Sequence, residues 1–445
     1  MPAILLSLVL ATACPPSLDP VRTVEMVGPA GAPGRRWTML YHLCGDNDLE
    51  SAALVDFNEL EAAPQSPDAV SLVLVDRGPG YDASDGDWTD TRLYLVESDE
   101  GGLNGRLVST RLASPELGLS PTEASELDMA SPETLARFID FARREYPAER
   151  YALVLWGHGT GWRSARIGAL ENADGLWKGS IADDASKGIL HTAALGKALR
   201  GKDLDVIGLD LCFGALMEIA YELRDCADYL VASEGPTPSC GWDYRDALGR
   251  FHEGADRGPG ALAGAFVDSY AGQYATQPGA CVSALRLSRI GDAALALDAF
   301  CSRLASSIET SFQRDLAKDA LLEDAEDFYF PVFPSDLFVD LKDAALSIKT
   351  ALPGLVDGEA ALLASAVDTA VALSWTSGTG SPRATGLALH VAPIDQNGNV
   401  MARHDPAYFK NGVVDDPLAF VRDSAWVPSI PAGGGLLDVL WYKRF

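Results

Sequence analysis

The chain is poor in positive charge. Its 35 lysines and arginines stand against 63 aspartates and glutamates, a formal net charge of −28. Nucleic acids and anionic membrane surfaces are held by clustered Lys and Arg, so the composition argues against both as partners. A basic ligand is compatible with it, although negative surfaces commonly serve solubility alone. The seven cysteines, at positions 14, 44, 212, 226, 240, 281 and 301, include no CxxC pair. That excludes a disulfide scaffold and the common zinc and redox motifs. His42 and Cys44 are two apart, which is not a recurring metal spacing. There is no EF-hand pattern, and Asp82, Asp85 and Asp87 read as turn residues, so no metal or cofactor is expected. Long apolar runs are missing too. The run at residues 1–13 is too short to span a bilayer as a mature helix.

That first run has a different meaning. It ends in Ala-Thr-Ala before Cys14, like an export signal with a small-residue cleavage site. A Cys in that place, followed by Pro15, Pro16 and Ser17, resembles a bacterial lipoprotein signal. The reading is therefore an exported protein lipidated at Cys14, touching membrane only through that anchor, or else a secreted one. Residues 15–36 are rich in Pro, Gly and Ala without periodicity and form a linker. Residues 37–255 are expected as the core domain, and residues 256–445 as a region packed on it and extending it.

Within the core, short apolar runs alternate with helical patterns. Strands are expected at residues 37–43, 70–76, 151–156, 205–210 and 228–233, with a hairpin from 91–97 and 106–112. Helices are expected at 49–63, 131–146 and 192–200. Asp46-Asn47-Asp48 offers turn and N-cap chemistry before the first helix. The alternation indicates an α/β fold, a mostly parallel sheet with helices on both faces. Beyond it, helices are expected at 261–274, 290–311, 336–348 and 358–370, and strands at 282–287 and 386–391.

Two strand ends carry candidate chemistry. Cys212 follows the strand at 205–210, and a helix is expected from about Gly214. A thiol just before a helix N-terminus feels the positive end of its dipole. His158, flanked by glycines, follows the strand at 151–156. In a parallel sheet both ends point the same way, about 5 Å apart if the strands are neighbours. Thiol chemistry needs a base to deprotonate the sulfur and an acid for the leaving amine, and imidazole serves both. The amides of Gly159 and Cys212 are candidate oxyanion donors.

These stretches resemble a known family. Trp156-Gly-His-Gly-Thr-Gly-Trp162 and Gly208-Leu-Asp-Leu-Cys212 are similar to the His and Cys motifs of the clostripain family of cysteine peptidases, which share the caspase–gingipain fold. Matching segments follow in order from Trp37 to Trp426, among them Asp46-Asn47-Asp48-Leu49-Glu50, Ala182-Asp183-Asp184, Gly241-Trp242-Asp243-Tyr244 and a late Tyr408. The resemblance implies a cysteine endopeptidase with His158 and Cys212 as its dyad, acting on peptides or proteins. It implies that Asp210, two residues before the nucleophile, reads a basic side chain before the scissile bond; the alternative is an Asp that caps the following helix. Relatives carry a further acid just before the Gly-Trp pair, where this chain has Cys240. Some relatives cut themselves between the His and Cys strands. Arg163, Arg166 and Lys178 lie there, and Lys178 is the best candidate. The rival to an enzyme is an inactive surface binding protein on the same fold. A second rival is another thiol hydrolase or acyltransferase, but the nucleophile-elbow pattern is incomplete around Cys212, with Asp210 at one of its two glycine positions.

Overall fold

Strands that are apolar along their whole length fold as the inner strands of a sheet covered on both faces. The computed structural model describes residues 35–162, 181–183, 188–329, 335–394, 418–424 and 440. The expectations for Cys14 and the export segment, most of the linker, Arg163, Arg166, Lys178, Asp184, Tyr408 and Trp426 fall outside them.

The strands are β1 (Trp37–Gly45), β2 (Ala69–Arg77), β3 (Arg92–Leu95), β4 (Thr110–Arg111), β5 (Arg150–Trp156), β6 (Ile181–Asp183), β7 (Gly188–Leu190), β8 (Val206–Asp210), β9 (Tyr229–Ala232), β10 (Cys281–Arg286), β11 (Asp327–Phe328), β12 (Ser335–Asp340), β13 (Val371–Thr376) and β14 (Ala388–Ile394). The helices are α1 (Glu50–Ala62), α2 (Pro132–Glu145), α3 (Thr192–Leu199), α4 (Met217–Leu223), α5 (Tyr244–Glu253), α6 (Pro259–Gln273), α7 (Ile290–Ser307), α8 (Ser311–Asp319), α9 (Leu341–Ala351), α10 (Asp357–Ala370) and α11 (Ala419–Asp423).

One sheet has the order β13-β10-β9-β8-β5-β1-β2-β3-β4. Its five central strands are parallel, and the outer ones are antiparallel. Side chains alternate between two cores, as strand geometry requires. Leu153 and Leu155 of β5 point into the layer of α2, α3, α4 and α7. Ala152, Val154 and Trp156 point toward α1, α5 and α6. The α/β architecture with helices on both faces is therefore as expected. Ser131 caps α2 through its side chain, with Pro132 in the first turn.

Three local expectations are corrected. Residues 336–340 are not helical but belong to β12; the helix starts at Leu341, where Asp340 accepts from the Asp343 N–H. The helix after Cys212 starts at Met217, not near Gly214. Its dipole acts within about one turn, so Cys212 lies beyond its useful reach. At the start of α1, no side chain caps the N-cap residue Leu49. Asn47 instead accepts from the Leu49 N–H at 2.9 Å and donates to the Cys44 carbonyl at 3.0 Å.

Residues beyond 255 complete the structure around the strand ends. β10 and β13 join the main sheet, while β11, β12 and β14 form a separate three-stranded sheet. That second sheet meets the turn after β8: the Ala388 N–H donates to the Ala215 carbonyl at 2.9 Å, and the Phe338 ring lies 4.9 Å from that of Phe213.

A buried acid pair reinforces the junction. Glu234 accepts from the Gly386 N–H at 2.8 Å, and Asp340 from the Thr385 N–H at 2.6 Å. Burial raises the pKa of both, and the neighbouring Asp340 raises Glu234 further. The folded chain thus holds these protons to higher pH than the unfolded chain. Their stability contribution is full below the ordinary Glu value of 4.5 and falls as pH rises toward the folded value. Glu234→Gln keeps an acceptor for Gly386 and removes the titration. Urea midpoints measured at pH 5 and pH 8 should differ less in Glu234→Gln than in the parent; an equal difference in both would refute this reading.

Candidate active site

The geometry begins with pairing in the sheet. β5 and β8 are hydrogen-bonded neighbours, and Trp156 sits opposite Asp210. His158 and Cys212 each lie two residues past that pair, so both follow adjacent strands at the same level. The next segments keep close contact. A Cβ at Gly159 would stand 2.6 Å from the Cys212 carbonyl and 2.9 Å from the Leu211 side chain. Only glycine lets the His158 turn approach the Cys212 backbone this closely.

Cys212 is partly buried and free of disulfide. The Thr237 N–H donates to its sulfur at 3.3 Å, and the sulfur faces the Thr237 carbonyl at 3.6 Å. A thiolate accepts such a bond better than a thiol. The Thr237 hydroxyl donates to the Leu211 carbonyl at 3.0 Å, tying the loop that follows β9 to the segment that follows β8. Phe213 has φ of 57°, a left-handed conformation for a non-glycine residue, and its N–H donates to the Gly235 carbonyl at 3.0 Å. That conformation costs about 1–2 kcal/mol. Burial of the ring, 1% exposed against Phe338, offsets it by about 1.5–3 kcal/mol.

His158 has a partner that its motif did not suggest. Its Nε2 lies 2.6 Å from Asp48 Oδ1. β1 is the other neighbour of β5, with Leu43 opposite Trp156. The turn held by Asn47 therefore brings Asp48 over the end of β5. The bond to His158 is the main cause of a lowered Asp48 pKa. Asp48 stood in the sequence as a turn residue, and only the strand order β5-β1 reveals its second role.

Asp210 is 3% exposed and points into the layer of α1 and α5. Its Oδ2 accepts from the Trp242 N–H at 2.9 Å and the Tyr244 hydroxyl at 2.7 Å. It does not cap α4, whose N-cap residue Leu216 lies six residues later and has no side-chain cap. That alternative is set aside. Burial pushes the Asp210 carboxyl up to about 7, against hydrogen bonds that lower it. Cys240, where an acid would have been looked for, is exposed.

The three residues Asp46, Asp76 and Glu126 place carboxylate oxygens within 4.8 Å of one another. This grouping lies at the carboxyl ends of β1 and β2, with Asp76 the last residue but one of β2 and Asp46 just after β1, on the side away from β8. Nothing else about it points to a cation.

Comparison with known proteins bears on the family and the fold. A sequence profile of the clostripain family matches residues 41–388. Clostripain from Hathewaya histolytica is 31% identical over 230 residues, which are 49% of this chain and 42% of that protein. The chain thus spans less than half the length of that relative. An inactive zymogen C11 protease from Parabacteroides distasonis superposes with a TM-score of 0.57 at 18% identity, covering 80% of this chain and 92% of that one. A secreted C11 cysteine protease from Bacteroides thetaiotaomicron, in complex with an irreversible peptide inhibitor, gives 0.55 at 20% identity, covering 83% and 94%. At these identities the structures show a shared fold. The profile match, from within β1 to the first residue of β14, establishes that the chain belongs to the clostripain family.

Proposed function

We propose that this protein is a cysteine endopeptidase with Cys212 as nucleophile and His158 as general acid and base. The observation that carries the reading is the matched pair of strand ends, with Gly159 seated against the Cys212 carbonyl. The Cys212 thiolate attacks the scissile carbonyl, and the carbonyl π electrons move onto oxygen. The amides of Gly159 and Cys212 are the proposed donors to that oxyanion. The intermediate collapses to a thioester as the C–N bond breaks, and His158 gives its proton to the leaving amine. Water, deprotonated by His158, then hydrolyses the thioester and frees the thiol. Asp48 holds Nε2 of His158, which leaves Nδ1 for the thiol and the amine. It is a positioning residue, favouring the imidazolium that forms during the cycle.

Asp210 supports a preference for Arg or Lys before the scissile bond: a buried carboxylate with one oxygen outside any hydrogen bond among the described residues. Export, with a lipid on Cys14, is the proposed location. Cleavage after Lys178, between β5 and β6, is the proposed self-processing step.

Cys212→Ala should abolish hydrolysis of peptidyl-arginine substrates, run as one uncut chain and keep the parent's circular dichroism; undiminished turnover ends the assignment. Asp48→Asn should lower kcat more than KM, by a factor of about 10–100, short of the full general acid–base contribution of about 10²–10⁴. A purely structural role would not separate kcat from KM in this way. Mass spectrometry of the exported protein's N-terminal peptide should find a diacylglycerol-modified Cys14; an unmodified one refutes lipidation.

A further inference from the structure

Asp210 does not stand alone in its layer. Asp56, on α1, is fully buried and points at the same place. Its Oδ2 accepts from the Trp156 indole N–H at 2.6 Å. A Cβ built on Gly241 would lie 2.5 Å from Asp56 Oδ2, 2.9 Å from Asp210 Oδ2 and 2.9 Å from Trp156 Nε1. Two buried carboxylates from different elements thus crowd one point beneath the loop that carries Cys240. Oδ1 of each is buried and accepts no hydrogen bond among the described residues. Glu59, one turn after Asp56, is half-buried beside them and accepts from the Tyr244 N–H at 2.9 Å.

Such an arrangement is unfavourable by itself. Buried charges are ordinarily paired, and an unpaired carboxylate in a dry site takes up a proton instead. The shifts follow that rule. Asp56 is raised well above the ordinary value by burial and then by Asp210, and Glu59 is pushed up to about 8 by burial and then by Asp243. An incoming cation would relieve the cost, by giving the two bare oxygens a partner. The place is also right for substrate. Asp210 is two residues, about 7 Å of extended chain, from the nucleophile. Gly241 is buried, but Cys240 before it is exposed, so one residue separates the acids from solvent.

We propose that Asp56 is the second carboxylate of the site that takes the basic side chain before the scissile bond, facing Asp210 across it. The inference rests on the cysteine-peptidase reading above. It puts on a helix the acid that the Cys240 position lacks, and the pair, not Asp210 alone, sets the preference for Arg or Lys.

Asp56→Asn separates the possibilities. Peptides with Arg, Lys or Gln before the scissile bond are compared by kcat/KM, and Cys212 reactivity by its rate of alkylation with iodoacetamide. In Asp56→Asn, kcat/KM for Arg and Lys peptides should fall at least about 30-fold, as for loss of one partner of a buried charge pair. The alkylation rate should stay within about twofold, and the Arg-to-Gln ratio should fall. The apparent Tm of the free enzyme should hold or rise, because a buried repulsion is removed. An unchanged Arg-to-Gln ratio would overturn the role of Asp56 and leave the peptidase reading intact. A parent enzyme that alkylates but cuts no peptide would sink the reading and this inference with it.

If Asp56→Asn does not fold, calorimetry of N-acetyl-arginine amide binding to the Glu59→Gln protein at pH 6 decides, because that ligand has no titratable α-amine. The titratable groups facing Asp56 are Asp210 on β8, Cys240 in the loop, Tyr244 on α5, Tyr274 after α6 and Glu59 itself, with Asp243 and Arg245 facing Glu59. With Glu59 neutralised, release of more than one proton per ligand requires both aspartates. Release of one or fewer would overturn the proposal.

Discussion

The pairing of β5 with β8 is the constraint on which the remainder depends. Trp156 opposite Asp210 sets His158 level with Cys212, and Leu43 opposite Trp156 sets Asp48 within reach of His158. A slip of one residue in either pairing would turn every apolar side chain of a strand to the wrong core. The two cores therefore hold the register, and with it the spacing of the candidate dyad. No loop has to find that spacing unaided.

The loops then refine what the strands align. The turn after Cys212 leans on Phe338 and Ala388, and Trp162 meets the buried His390 ring at 5.0 Å. All three partners come from beyond residue 255. The C-terminal sheet is thus a wall of the site, and the left-handed Phe213 is tolerated because that wall accepts its ring.

Electrostatics works against the fold in the same neighbourhood. Asp56, Asp210, Glu234 and Asp340 are all buried acids whose pKa values burial raises. In a chain of net charge −28, such groups are not selected for stability. Near a strand end that carries the candidate nucleophile, strain of this kind is expected where binding will relieve it. The Glu234–Asp340 pair is different in kind, since backbone N–H groups of residues 385 and 386 already satisfy it in part.

By itself, the sequence determined the parallel core, the order of its strands along the chain and the two motif-bearing ends. Those are local properties: apolar runs of strand length, helical periodicity, and Gly or Cys at a change of pattern. It misplaced the start of α4 and took β12 as helix, because Asp336 to Asp340 has no periodicity of its own and becomes a strand by pairing with β14. It singled out Asp210, but not Asp48, which the structure places on His158, nor Asp56, which it places beside Asp210. A polar residue's role is set by what lies across the sheet, and strand order β8-β5-β1 is not written in any one segment. Only the tertiary structure brought Asp56 to Asp210, because their 154-residue separation is closed by packing α1 on β1 and against α5, whose Tyr244 bonds Asp210.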